Sequence, residues 1–234
     1  GLAVVDLSHR GVVTVTGPDR LTWLHSMTTQ HLTGLAPRTS RESLVLSPKG
    51  HIEHALHLVD DGETTWITVE PRGAPSLVGW LNSMRFMLRV EVADVTAHWA
   101  VLGEPIGAES APGEPLAWVD AWPALVGDTA AYGPVEGHPG EGRAWRELIV
   151  ARPDLEAAVG DRPLAGTWAA EALRVMAWRP RLGAETDHRT IAHEVDWLRT
   201  AVHLHKGCYR GQETIARVHN LGRPPRRLVF LHLD

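Results

Sequence analysis

The chain has 234 residues, 44% hydrophobic and 22% charged, with 23 Lys plus Arg against 28 Asp plus Glu. That balance belongs to a folded globular chain, long enough for one large domain or two interlocked small ones, and the net charge of -5 gives no general attraction to a nucleic-acid backbone. The single cysteine, Cys208, excludes an internal disulfide framework and any multi-cysteine zinc or Fe–S site held by one chain, and fits a reducing, cytoplasmic setting. No run reaches the roughly 20 apolar residues of a membrane span, so no membrane partner is expected.

Gly11 to Thr16 alternates and is β-branched, then Gly17-Pro18-Asp19 turns into Arg20 to Met27, whose apolar residues recur at helical spacing. Two extended runs, 42–46 and 51–59, flank Ser47-Pro48-Lys49-Gly50, and Asp61-Gly62 leads into a third, 64–69, which predicts an antiparallel meander. On the middle strand the period of two puts His51, Glu53 and His57 on one face and His54 on the other. A helix is expected over 75–86 and a strand over 87–95. Glycine and proline interrupt 103–145, with a short strand near 115–119. Order returns with a strand at 147–151 and helices over 153–159 and 167–178, the last with Ala169, Leu173, Met176 and Ala177 as its apolar face. Residues 179–194 read as an irregular surface loop or site lining. Hairpins dominate, so the expected class is α+β.

Walker, dinucleotide, Gly-x-Ser-x-Gly and His-Glu-x-x-His patterns are absent. His203, His205, Cys208 and His219 form a mixed N/S set whose spacing matches no common zinc pattern, so no metal is expected. The informative string is Lys206-Gly207-Cys208-Tyr209-Arg210-Gly211-Gln212-Glu213, with a helix predicted from Gln212. A thiol between two cations, just ahead of a helix N-terminus, is placed where thiolate is favoured. The opposing reading is a small buried residue in a tight turn.

This string resembles the signature of the YgfZ-type folate-binding proteins, relatives of the glycine-cleavage T-protein, an aminomethyltransferase. Asp6 to Gly11, Val15 to Arg20, Pro48 to Ile52 and Leu173 to Glu194 are similar to other segments of that family, and the weakest region is 95–145. The resemblance implies interleaved α+β subdomains over residues 1–223 around a folate-sized hole, with 224–234 as the first strand of a truncated C-terminal β-barrel. The chain, starting without Met and stopping in an apolar run, reads as a fragment of a longer protein.

The resemblance further implies tetrahydrofolate, or another folate, as the cofactor. Glu194 takes the position of the acid that meets the pteridine ring, with Arg174, Arg181 and His54 as further folate-side residues. Arg174 and Arg181 either neutralise folate carboxylates or pair with Glu185 and Asp187, while Arg223, Arg226 and Arg227 read as a solvated basic face. Cys208 is the candidate reactive thiol, with Lys206, Gly207, Tyr209, Gly211, Gln212 and Glu213 as its supporting motif. T-protein enzymes carry paired Asp where this chain has Glu53-His54, which argues against aminomethyl transfer. The expected function is folate-dependent support of Fe–S cluster assembly or repair in client enzymes, including those that modify tRNA. A folate-dependent aminomethyltransferase and a noncatalytic folate-binding module are the alternatives. Expected partners are folate and Fe–S client or assembly proteins, without direct nucleic-acid contact.

Overall fold

The computed structural model describes residues 3–106 and 113–231. The chain lays down β1 (Val4–Asp6), leaves to build a sheet from β2 (Gly11–Thr16), β3 (Ser40–Leu46), β4 (Ile52–Asp60), β5 (Thr64–Val69) and β6 (Glu91–Asp94), then returns to β1. There it adds β7 (Trp99–Glu104), β8 (Leu116–Val119), β9 (Arg146–Ala151) and β10 (Leu164–Ala165). The strand orders are β3-β4-β5-β2-β6 and β10-β1-β7-β9-β8. The expected meander is present, every pairing in the first of these sheets is antiparallel, and the two subdomains are interleaved.

One face of the β2–β6 sheet is covered by α1 (Arg20–Met27) and α2 (Gly73–Met84). Leu56, Leu58, Ile67, Leu77 and Leu81 are fully buried there, each side chain contributing about 1.5–3 kcal/mol relative to exposure. The other face looks toward the β7–β9 sheet across Val5, Val12, Val59, Val101, Trp118 and Ile149. At one end of that face Leu44, Leu46, Ile52 and Ala55 pack against Val195, Trp197, Leu198 and Ala201. Every residue from 190 to 202 is buried, although the segment holds only a 3-10 turn (Ala192–Val195) and the short α5 (Leu198–Ala201). The irregular stretch thus ends as a core thread rather than a surface loop.

Local expectations shift at four places. The register of β3 against β4 slips between Val45 and Leu46, so that Leu46 opposes Ile52 while Val45 opposes His54. The bulge at Glu53 brings Ile52 onto the face shared by Ala55 and His57, and the simple alternation from His51 to His57 fails. The helix over 73–84 ends earlier than expected because Phe86 takes a positive φ of 45°, and the following strand begins only at Glu91. After α3 (Leu155–Val159), the helix α4 (Thr167–Met176) turns inward the line of half-buried Ala170 and buried Arg174 and Ala177 rather than Leu173 and Met176, which are 44% and 66% exposed. Arg174 turns inward because Glu171 and Glu185 meet it there. Finally, residues 224–231 join no sheet, and the remainder of the strand expected over 224–234 lies outside the described residues.

Candidate functional site

Two glycine contacts fix the Cys208 loop against the β3–β4 turn. A Cβ on Gly211, at φ 83°, would lie 2.6 Å from the Ser47 carbonyl oxygen, and one on Gly50, at φ 79°, 2.5 Å from the Thr214 Cβ. Only glycine permits both the backbone conformation and the approach. Helix α6 (Gln212–Leu221) follows directly, with Gln212 and the exposed Glu213 in its first turn. Lys206 is buried, donating from Nζ to the carbonyls of His25 and Thr28 at the end of α1 and lying 4.9 Å from the Tyr209 ring. Burial pulls its pKa down to about 8, and burial pushes the Tyr209 phenol up. Arg210 donates to the Leu46 carbonyl and to Glu53, over the Trp80 ring at 5.0 Å. Both cations flanking the cysteine in sequence therefore anchor the loop, and Cys208 is left exposed as a free thiol.

His54 lies elsewhere than the other folate-side residues. It pairs with Val45 on the face that carries α2, with Nδ1 4.0 Å from where a Cβ on Gly73 would be. Burial, then the Arg210 charge, lowers its pKa. His203 hydrogen-bonds the His205 backbone and His219 meets the Tyr132 hydroxyl. Among the described residues no group of three or more His, Cys, Asp or Glu is arranged to hold a metal ion.

Glu194 sits on the 3-10 turn, 5% exposed. Its Oε2 accepts the Ile191 N–H at 3.2 Å, and the fork of Arg226 closes on both oxygens, Nε to Oε1 at 2.9 Å and Nη2 to Oε2 at 2.8 Å. Arg226 also reaches Asp187 at 3.0 Å, so it is tied to a carboxylate pair rather than left as a solvated basic face. Its pKa is raised, first by the hydrogen bonds to Glu194 and then by those to Asp187, and that of Asp187 is lowered, first by the hydrogen bonds from Arg226. Beside Glu194 opens a cleft of about 410 Å³ walled by Trp122, Tyr132, Trp178, His193 and Phe230. The rings of Trp178 and Phe230 are nearly parallel, at 13° and 6.1 Å. His193 is 1% exposed, and among the described residues neither ring nitrogen has a hydrogen-bond partner of good geometry. Burial pushes it down to about 4, against weaker raising pulls from the Ile215 backbone and Glu194, so at neutral pH it is an uncharged donor and acceptor.

Arg174 and Arg181 line a different cavity, of about 70 Å³, between the sheets. Arg174 is held by Glu171 and Glu185, and Arg181 by Glu171. Deeper in, Arg179 donates to Glu42 at 2.6 Å and to Asp120 at 3.1 Å, and Arg143 meets the same Asp120. Burial works against the Arg179 charge, but Asp120 and Glu42 more than offset it, and its pKa lies above the ordinary arginine value. Glu147 meets Arg10 at 2.9 Å and His57 at 3.0 Å; burial opposes its charge, yet Arg10 and His57 bring it down to about 2. His57 stacks on Trp118 at 3.6 Å. Arg10, His57, Asp120, Arg143, Glu147 and Arg179 were not among the residues expected from sequence. For two of them the signal was a polar residue at an inward strand position: Glu147 shares its face of β9 with the buried Ile149, and His57 shares its face of β4 with Val59, whereas Arg10, Asp120, Arg143 and Arg179 lie outside the strands.

These features belong to a known architecture. A structure of the glycine cleavage system aminomethyltransferase T from Bartonella henselae superposes with a TM-score of 0.68 at 17% identity, covering 94% of this chain and 63% of that one. The chain therefore has the mixed α+β fold of the T-protein, and at that identity the likeness concerns the fold alone. A chloroplastic protein of Arabidopsis thaliana, At1g60990, provisionally named a transferase, is 28% identical over 256 residues, an alignment covering 100% of this chain and 57% of that relative. The chain thus spans less than two thirds of the length of either. No family model matches it. Among the described residues no helix is long and apolar enough to cross a membrane.

Proposed function

We propose that this chain is the folate-binding part of a factor that supports Fe–S cluster assembly or repair in client enzymes, including tRNA-modifying ones, with tetrahydrofolate or another folate as its cofactor. The observation that carries the folate reading is the Glu194–Arg226 fork at the edge of an aromatic cleft. A guanidinium and the amino-amide edge of a pterin both offer two parallel N–H donors to a carboxylate. Arg226 thus marks what Glu194 is oriented to accept, and the partnerless His193 beside it has one donor and one acceptor to give. The cleft volume of about 410 Å³ suits a bicyclic ring between aromatic walls, within the usual range of ligand pockets. When bound, the folate would supply one-carbon chemistry at its own nitrogen; Glu194 and His193 would orient the ring, and Trp178 and Phe230 would keep water from its faces.

Cys208 supports the maintenance role over aminomethyl transfer. It is exposed and unencumbered on a rigidly anchored loop, which is what a partner protein has to reach. One thiol per chain cannot hold a cluster alone, so Fe–S client or assembly proteins are the proposed partners, in a reducing cytoplasmic compartment and without direct contact to nucleic acid or membrane. The Glu53-His54 pair supports the same choice: Glu53 is engaged by Arg210, and His54 lies on the α2 side of the sheet.

Calorimetric titration with tetrahydrofolate tests the binding reading. Micromolar binding, about -8 kcal/mol, is expected, weakened at least tenfold in Glu194→Ala; no binding by the folded protein, or an unaffected variant, sinks it. For the thiol, Cys208→Ser should fail to restore Fe–S enzyme activity in a strain lacking the protein. Full restoration would leave only the noncatalytic folate module standing.

A further inference from the structure

Arginine side chains in the cavity between the sheets have N–H groups to spare. Among the described residues Arg10 Nε, Arg179 Nη1 and Arg181 Nε are buried without a hydrogen-bond partner, and all three side chains line this one cavity. Each arginine is pinned through another nitrogen, Arg10 by Glu147, Arg179 by Glu42 and Asp120, and Arg181 by Glu171, so none can turn freely to spend the remaining donor. Arg181 Nε comes no nearer than 3.9 Å to Glu70, beyond hydrogen-bond length. An unmet buried donor costs on the order of 1–3 kcal/mol, and more when charged. Three at one cavity mark a place that is completed by an acceptor.

Size and charge select its class. A volume of about 70 Å³ takes only a few heavy atoms, far too few for the bicyclic ligand of the Glu194 cleft. The lining carries five arginines against Glu70, Asp120, Glu147 and Glu171, and Glu42 and Glu185 stand directly behind. Five cations facing six carboxylates leave the set one charge negative, so each further negative charge is costly and a doubly charged oxyanion is disfavoured. A planar monoanion with two acceptor oxygens matches guanidinium edges. We propose that the inter-sheet cavity is a binding site for a small monocarboxylate of the size of formate or acetate, held by Arg10, Arg179 and Arg181, separate from the Glu194 cleft.

Acetate is the probe, followed by saturation-transfer NMR on the full chain, with acetamide and inorganic phosphate as comparisons and circular dichroism confirming that each variant folds. Arg181 is the variant of choice because its side chain is 37% exposed and at the rim, with Arg10→Gln as a second. Saturable acetate binding near about 1 mM, at least fivefold weaker in Arg181→Gln or Arg10→Gln and unchanged in Glu194→Ala, is the expected result. No saturable response up to about 50 mM, well past that Kd, overturns the site, as does binding that both arginine variants leave untouched. Acetamide or phosphate matching acetate overturns the assignment to a carboxylate.

Discussion

Two arginine–carboxylate assemblies use the same chemistry at opposite depths. Arg179 is clasped by Glu42 and Asp120 with every partner side chain 4% exposed or less, whereas Arg226 bridges Glu194 and Asp187 with its own side chain 51% exposed. Buried ion pairs contribute little beyond an apolar equivalent, but removing one partner strands the other. The inner assembly is therefore a fixed part of the fold, whereas on the proposed function the outer one is exchangeable, with a ligand of the right edge taking Glu194 while Arg226 returns to water.

The largest effect should come from breaking the inner assembly. Glu42 also accepts the Trp197 indole N–H at 2.8 Å and the Thr200 hydroxyl, so Glu42→Gln should lose about 3–5 kcal/mol in urea unfolding; a loss below about 1 kcal/mol would show the network to be dispensable. Next is acid. Burial holds His193 down to about 4 in the folded chain against 6.5 for a free histidine, so the unfolded chain binds the proton first. Stability is then whole above 6.5 and falls by about 3 kcal/mol as pH drops to 4. Glu147, depressed from 4.5 to about 2, adds a further loss only below 4.5. Unfolding midpoints measured from pH 7 to 4 should lose this slope in His193→Leu.

A smaller effect tests the outer assembly. Arg226→Ala should leave the unfolding midpoint nearly unmoved and tighten tetrahydrofolate binding about fivefold, because the closed state no longer competes; weaker binding would make Arg226 a ligand contact instead of a stand-in. The smallest belongs to Cys208. Exposed and without a packing role, Cys208→Ser should shift stability by no more than about 0.5 kcal/mol, so that any loss of function in cells is chemical.

The two assemblies also differ in how they could be read beforehand. The Cys208 loop, α1, the meander and Glu194 rest on contiguous residues with local chemistry, such as Gly50 and Gly211 at positive φ, and the resemblance to T-protein relatives picked them out. The inner assembly joins residues 10, 42, 57, 120, 147 and 179 from separate elements, and no window of sequence contains it. Arg174 illustrates the difficulty. Helical periodicity favoured Leu173 and Met176 as the buried face, because it weighs apolarity and does not see Glu185 waiting across the turn. The bulge at Glu53 likewise moved Ile52 onto the face of Ala55 and His57 for a reason of register alone, which pairing partners decide and the strand's own residues do not.

The placement of β1 bears on how the chain is made. Strands β2 to β6 all lie between residues 11 and 94, so their sheet is complete as soon as that stretch has left the ribosome. Strand β1, at residues 4–6, has its partners at 102–103 and 164–165. Strand β1 thus precedes the whole β2–β6 sheet in sequence yet pairs only with strands that follow that sheet, so it waits unpaired until residues 102–103 and 164–165 have been made. Until those partners exist β1 depends on protection from mispairing, and closing the second sheet over it also walls in the cavity that lies between the two sheets.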